Sequence, residues 1–226
     1  MYSTPPFYDR THAGLELAEA IAQQIDRCSP KFYSRIIVYA LPRGGLPVAE
    51  PVARRLSCPL GAIIAKKITH PDHPELALGA VTAEGYVLWS GRRRPTDFQL
   101  QQTLLHQAHG KALDQFAQMA SDCANIDPQN ALAIIVDDGI ATGLTMAVAV
   151  KSLKPKNPRE IWIGVPVAPL DLQDALQQWC DRLIILKTPR IFFSVSRFYQ
   201  EFPQVETQIA IAHLQRQREW LEINEH

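Results

Sequence analysis

A chain of 226 residues, 46% hydrophobic and 20% charged, can bury one sizeable core, which excludes a disordered protein; its 17 prolines follow no Gly-X-Y period, which excludes a collagen-like one. Lysine plus arginine (23) equals aspartate plus glutamate (23), so the net charge is zero and the pI is about 7.0. A protein that neutralises a nucleic-acid backbone usually carries a basic excess, so this balance argues against a nucleic-acid partner, and any anion must be held by local geometry.

Along the chain, Leu15, Ala18, Ile21, Ala22 and Ile25 recur at helical spacing and predict a helix over Thr11–Arg27, stopped at Ser29-Pro30. Residues 35–40 (Arg-Ile-Ile-Val-Tyr-Ala) read as a strand buried on both faces, and Pro47–Leu56 as a helix. Gly61–Ala65 is a second buried strand. Residues 66–95 hold Pro71, Pro74, Gly79, Gly85, Gly91 and Pro95 around apolar runs at 76–83 and 86–89, which predicts irregular structure with a hairpin. Between Thr96 and Cys123 the positions Leu105, Ala108, Ala112, Phe116, Met119 and Cys123 form one apolar face of a long helix. The strand Leu132–Val136, a helix Thr145–Leu153, a strand 161–167, a helix 170–179 and a strand 183–186 follow, and Val205–Leu221 reads as a final amphipathic helix. Strands alternating with helices predict βαβ units: an α/β fold with a doubly wound, mostly parallel sheet flanked by helices. We expect a single domain over 1–226, its core at about 30–190, with a small irregular hood from the N-terminus, residues 68–95 or the C-terminal tail.

Cys28, Cys58, Cys123 and Cys180 are scattered, without a C-x-x-C pair, which supports neither a disulfide framework nor a zinc site. Met1–Pro6 lacks a charged and an apolar leader region, and no run approaches 18 apolar residues, so the expectation is a cytoplasmic protein without a membrane span.

In an open parallel sheet, ligands bind at the carboxyl ends of the strands, and three such ends carry unusual chemistry. Leu41-Pro42-Arg43-Gly44-Gly45 is a Gly-rich turn with a cation. Lys66-Lys67 follows the second strand. Residues 134–145 read Ile-Ile-Val-Asp-Asp-Gly-Ile-Ala-Thr-Gly-Leu-Thr. There Asp137 and Asp138 can accept hydrogen bonds from vicinal hydroxyls or ligate Mg²⁺. Gly139 and Gly143 let backbone N–H groups turn inward, Thr142 and Thr145 add hydroxyls, and a helix N-terminus follows. Acceptors for sugar hydroxyls beside a nest for a phosphate dianion match the layout of a ribose 5-phosphate. No Gly-Lys-Ser/Thr follows, so this is not a Walker A loop.

This segment resembles the signature of the type I phosphoribosyltransferases, which bind phosphoribosyl pyrophosphate (PRPP). The resemblance implies that Asp137 and Asp138 hold the ribose hydroxyls and Mg²⁺. Ala141, Thr142, Gly143, Leu144 and Thr145 would hold the 5-phosphate. Arg43, Gly44 and Gly45 would bind pyrophosphate, often through a strained peptide bond, and Lys66 or Lys67 would supply the basic position, with Arg43 and Lys67 assisting catalysis. Residues 75–81 (Glu-Leu-Ala-Leu-Gly-Ala-Val) and 198–205 (Phe-Tyr-Gln-Glu-Phe-Pro-Gln-Val) resemble a poorly characterised bacterial branch. The implied activity is Mg²⁺-dependent transfer of ribose 5-phosphate from PRPP to a small-molecule, nitrogenous acceptor with release of pyrophosphate. Homodimers are frequent in the family. One departure matters: 6-oxopurine users carry an aspartate proton acceptor where this chain has Ala141, which argues against hypoxanthine or guanine.

Two other readings compete. A sensor on the same fold would bind PRPP or a nucleotide without chemistry. A hydrolase would use Asp137 and Asp138 as metal ligands but leave the Gly/Thr loop unexplained. Residues 90–97, with Gly91 as hinge, are the candidate mobile loop, and Arg92-Arg93-Arg94 is either an exposed charge run or a clamp on pyrophosphate. His70 and His73 have the spacing of a metal pair but lack a third ligand, so they read as loop residues. Phe192 and Phe193 either stack on a base or pack a hood.

Overall fold

Short, continuously apolar runs make strands that must be covered on both faces. The computed structural model describes residues 5–28, 33–70, 72–91, 94–123 and 126–221; Pro30, Pro71, Arg92 and Arg93 lie outside them. Elements are numbered in chain order. β1 (Ile36–Ala40), β2 (Leu60–Ala62), β6 (Leu132–Val136), β7 (Glu160–Val167) and β8 (Arg182–Lys187) form a parallel sheet in the order β2-β1-β6-β7-β8. The register runs from Ile36 opposite Leu132 to Ala40 opposite Val136, so β1 and β6 end level with each other.

Because side chains alternate along a strand, the sheet feeds two cores. Val38, Ala40, Ile134, Val136 and Trp162 pack with α1 (Arg10–Arg27), α2 (Leu46–Arg55) and α6 (Thr207–Gln215). Ile37, Tyr39, Ala133, Ile135, Ile161 and Ile163 pack with α4 (Leu144–Leu153) and α5 (Gln173–Trp179) on the other face. Fully burying one such aliphatic side chain stabilises the fold by roughly 1.5–3 kcal/mol. The doubly wound arrangement agrees with the sequence reading.

Five details differ from it. In α1 the buried face is Ala13, Gly14, Leu17, Ala18, Ile21, Ala22 and Ile25. Leu15 stands 57% exposed, because two residues are about 200° of helical rotation and put it opposite Leu17. Residues 66–95 are more regular than expected: β3 (Ala65–His70), β4 (His73–Thr82) and β5 (Val87–Trp89) make an antiparallel sheet, bulged between Ile68 and His70. The chain leaves the parallel sheet after Ala62 and begins the new ladder at Ala65, so Lys66 and Lys67 lie inside β3 and not after the second strand.

The long helix α3 (Phe98–Met119) buries Gln101, Leu104, Ala108, Ala112, Gln115 and Met119. Its first half covers Ile68, Leu78 and Val81 of the small sheet, while Ala112 and Met119 reach the main core. Phe116 is consequently 46% exposed and borders, with Leu113, Ile63, Ile64 and Ile126, a side cavity of about 380 Å³. Finally, the tail helix breaks into α6 and α7 (Arg218–Leu221). At the break, Gln217 accepts the N–H of Leu60 with Oε1 and donates to the Leu214 carbonyl, so it covers the edge strand β2.

Residues 5–9 and 190–205 close over the carboxyl ends of the strands. Phe7 is fully buried, pairs in parallel with Tyr199, and exchanges backbone hydrogen bonds with Phe198 and Gln200. Among the described residues no helix is long and apolar enough to cross a membrane.

Candidate functional site

The level ends of β1 and β6 bring two turns face to face. After β1, Leu41 N–H donates to the Val136 carbonyl (2.9 Å) and Gly45 N–H returns to the Leu41 carbonyl (3.0 Å), which holds the turn tightly against the sheet. The Pro42–Arg43 peptide bond is cis. Gly44 is required here: a Cβ would run into the Asp138 carboxylate. Gly45, N-cap of α2, leaves no room either, since a Cβ would sit 2.7 Å from the Leu41 carbonyl and 2.8 Å from that of Val136. After β6, Gly143 caps α4 with φ of +75°, a left-handed conformation that disfavours other residues, and a Cβ there would press on the Trp179 ring at 3.2 Å. Ala147 is the first to bond back, to the Gly143 carbonyl (2.8 Å), so the N–H groups of Leu144, Thr145 and Met146 have no intrahelical partner.

A cavity of about 340 Å³ lies between these turns, lined by Arg43, Gly44, Lys66, Asp137, Asp138 and Thr145 among others. Six sequence candidates therefore meet in one place. Gly45 and Gly143 are buried supports of the two turns, Leu144 sits at the first position of α4, and Ala141 and Thr142 are exposed beside it. Lys67 is exposed on β3, yet its charge is felt at Asp137. Lys66 faces the cavity, its pKa lowered by burial and by the charges of Arg43 and Lys111. Lys111, on α3, is a cation the sequence reading passed over.

The acidic pair is half-buried in the cavity wall. Burial and the neighbouring Asp138 charge push the Asp137 carboxyl well above the usual carboxylate range. Burial also raises Asp138, with the Arg10 charge working against it. Asp137 Oδ1 accepts the backbone N–H of Asp138 (2.9 Å). Arg10, the first residue of α1, donates from Nε to Asp138 Oδ2 (2.8 Å) and from Nη1 to the Pro203 carbonyl (2.7 Å). Tyr199 donates its hydroxyl to the Asp138 backbone carbonyl (2.6 Å), and burial keeps that phenol protonated. Gln204 and Val205 complete the wall. Arg10 carries no local signal, since its partner is 128 residues away. The run 198–205 was visible as a resemblance, but its contact with Asp138 follows only from the fold.

The two carboxylates repel each other, and their hard oxygen atoms suit Mg²⁺. No cluster of three His, Cys, Asp or Glu groups suited to a metal exists among the described residues, and Mg²⁺ normally completes its shell from water and phosphate oxygens.

Other candidates fall elsewhere. Arg94 donates from Nε and Nη2 to Gln101 Oε1 (3.0 and 2.9 Å) and lies over Trp89, outside the cavity lining. His70 and His73 face each other across the β3–β4 hairpin, ring centroids 5.9 Å apart. Phe192 stacks on Phe198, whereas Phe193 is 71% exposed beneath Arg197.

A family model described as "Phosphoribosyl transferase domain" matches residues 8–201. The Mycobacterium tuberculosis (strain H37Rv) protein named "Putative phosphoribosyl transferase Rv0571c" is 33% identical over 215 residues, covering 93% of this chain and 46% of that protein. Its counterpart in strain CDC 1551 gives the same figures, so the chain spans about half the length of these curated relatives. The crystal structure of TT1426 from Thermus thermophilus superposes with a TM-score of 0.76 at 30% identity, covering 95% of this chain and 98% of that one. The turns at the ends of β1 and β6 thus sit within a fold and a sequence pattern held in common, and the chain belongs to the phosphoribosyl transferase domain family.

Proposed function

We propose that the chain is a phosphoribosyltransferase that moves the ribose 5-phosphate of PRPP to a nitrogenous small-molecule acceptor, with release of pyrophosphate and with Mg²⁺ as cofactor. The observation that carries this reading is the single cavity shared by Asp137, Asp138, Arg43, Gly44, Lys66 and Thr145, assembled from the turns after β1 and β6 and from β3 in a chain of this family. Asp137 and Asp138 take the ribose hydroxyls and would hold the metal. The open N–H groups at the start of α4, with Thr142 and Thr145, take the 5-phosphate. Arg43, Lys66 and the Gly44–Gly45 backbone face the pyrophosphate, with Lys67 adding charge at the same end. During transfer the bond from C1 to the pyrophosphate oxygen breaks, its electron pair leaving with the oxygen, while the acceptor nitrogen bonds to C1. The cations of Arg43 and Lys66 stabilise the leaving group as its charge grows. Bound Mg²⁺ supplies further neutralisation of pyrophosphate. Ala141 offers no proton acceptor, which supports an acceptor other than a 6-oxopurine.

Titration calorimetry with PRPP and Mg²⁺ tests the reading. Wild type binds, and the Asp137→Asn/Asp138→Asn double variant loses at least about tenfold in affinity, the scale of one charge-assisted contact. Failure of the wild type to bind, or unchanged binding in the variant, defeats it. Pyrophosphate release across a panel of nitrogenous acceptors separates the transferase from a sensor, which binds PRPP and releases none.

A further inference from the structure

We propose that Arg10 is a positioning residue for the ribose end of the donor, acting through Asp138; the proposal rests on the phosphoribosyltransferase reading above. An exposed ion pair would carry little weight. This one is enclosed: the Arg10 and Asp138 side chains are 10% and 16% exposed. The guanidinium is held on three sides at once. Nε donates to Asp138 Oδ2 at 2.8 Å, Nη1 donates to the Pro203 carbonyl at 2.7 Å, and its plane lies over the Phe202 ring with Cζ 3.5 Å from the centroid. A planar fork with a stacking face meets all three demands, and an ammonium group does not.

Asp138 is correspondingly immobile. Gly44 also sits against the Oδ2 end of its carboxylate, and Tyr199 donates to the backbone carbonyl of the same residue. With Oδ2 taken by Arg10, Oδ1 is the carboxylate oxygen that remains for a ligand hydroxyl in the cavity. Arg10 thus selects which oxygen faces the sugar and at what angle. Arg10 lines the same cavity as Arg43 and Lys66, but of the three it is the one hydrogen-bonded to the carboxylate that takes the ribose hydroxyls in this reading, so the two ends of the donor respond to Arg10 differently.

The test compares Mg²⁺–PRPP with Mg²⁺–pyrophosphate by calorimetry, using the full chain as wild type, Arg10→Lys and Arg10→Met. Pyrophosphate has no ribose and reports only on the cationic end. Arg10→Lys weakens PRPP about tenfold and Arg10→Met about a hundredfold, while pyrophosphate affinity stays within about twofold in both. A parallel loss of both ligands overturns the proposal in favour of a general structural role, and so does unchanged PRPP affinity in Arg10→Met. Should Arg10→Met lose its far-UV circular dichroism, the Arg10→Lys pair of affinities decides alone by the same criterion. A wild type that binds pyrophosphate and not PRPP, or neither, overturns the phosphoribosyltransferase reading itself, an outcome distinct from failure of the Arg10 role.

Discussion

Gly44 lies against a carboxylate that is itself held in place. A methyl group there meets the Asp138 carboxylate, which Arg10 holds from behind and whose backbone Tyr199 holds from above. Gly44→Ala should therefore displace the carboxylate and weaken PRPP by about tenfold or more in calorimetry. An unshifted affinity would mean that Asp138 moves freely. At this scale the sequence was readable where chemistry and spacing coincide. Two adjacent carboxylates, two glycines and two threonines over 134–145 marked the segment that the structure brings to the cavity. Arg10, Tyr199 and Lys111 were not readable, because their residue types are ordinary and their meaning comes from partners that only folding supplies.

Elements were legible wherever one face or both faces of a segment are simply buried. β1 and β6 are apolar throughout, β7 is uncharged after Glu160, and all three were placed nearly to the residue. α3 was harder, since it serves two cores and borders a cavity, and its apolar residues do not all point inward. The tail helix breaks at Gln217, whose side chain serves β2, a partner that its own sequence does not show. The joint between α2 and α6 can be tested. Glu50, buried on α2, accepts from His213 Nδ1 and from Arg216 Nη1 (2.9 Å). Burial alone would raise its pKa, but the His213 hydrogen bond and the charges of His213, Arg216 and Arg54 outweigh it and hold Glu50 below the usual value. A folded-state pKa below the unfolded one contributes stability that is whole above the ordinary glutamate range and is lost as pH falls through the depressed value. Glu50→Gln should cost about 2 kcal/mol at pH 7, the scale of hydrogen bonds to a charged group. The gap from wild type should narrow as denaturation midpoints are measured towards pH 3, and a gap constant with pH would contradict this account.

For the whole molecule, zero net charge sits beside a candidate donor carrying a monophosphate and a pyrophosphate. The two are compatible because the site works at short range, through backbone N–H groups, a helix start and a few cations inside one cavity. PRPP affinity should accordingly fall by less than about tenfold between 50 and 200 mM salt, whereas a protein clamping a DNA backbone loses about 10³–10⁵ over that interval. Calorimetry across the salt series checks this, and a steep decline would point to a long-range field that the composition does not contain.

The pairing of Phe7 with Tyr199 also bears on the order in which the protein is made. When β8 has just been synthesised, all five parallel strands and both carboxylates already exist, yet Tyr199, the Pro203 carbonyl and the Phe202 ring have not been made. Until that last stretch arrives, the guanidinium of Arg10 lacks two of its three holds. The candidate ligand site is therefore braced only once residues that follow the whole parallel sheet in sequence have joined Arg10.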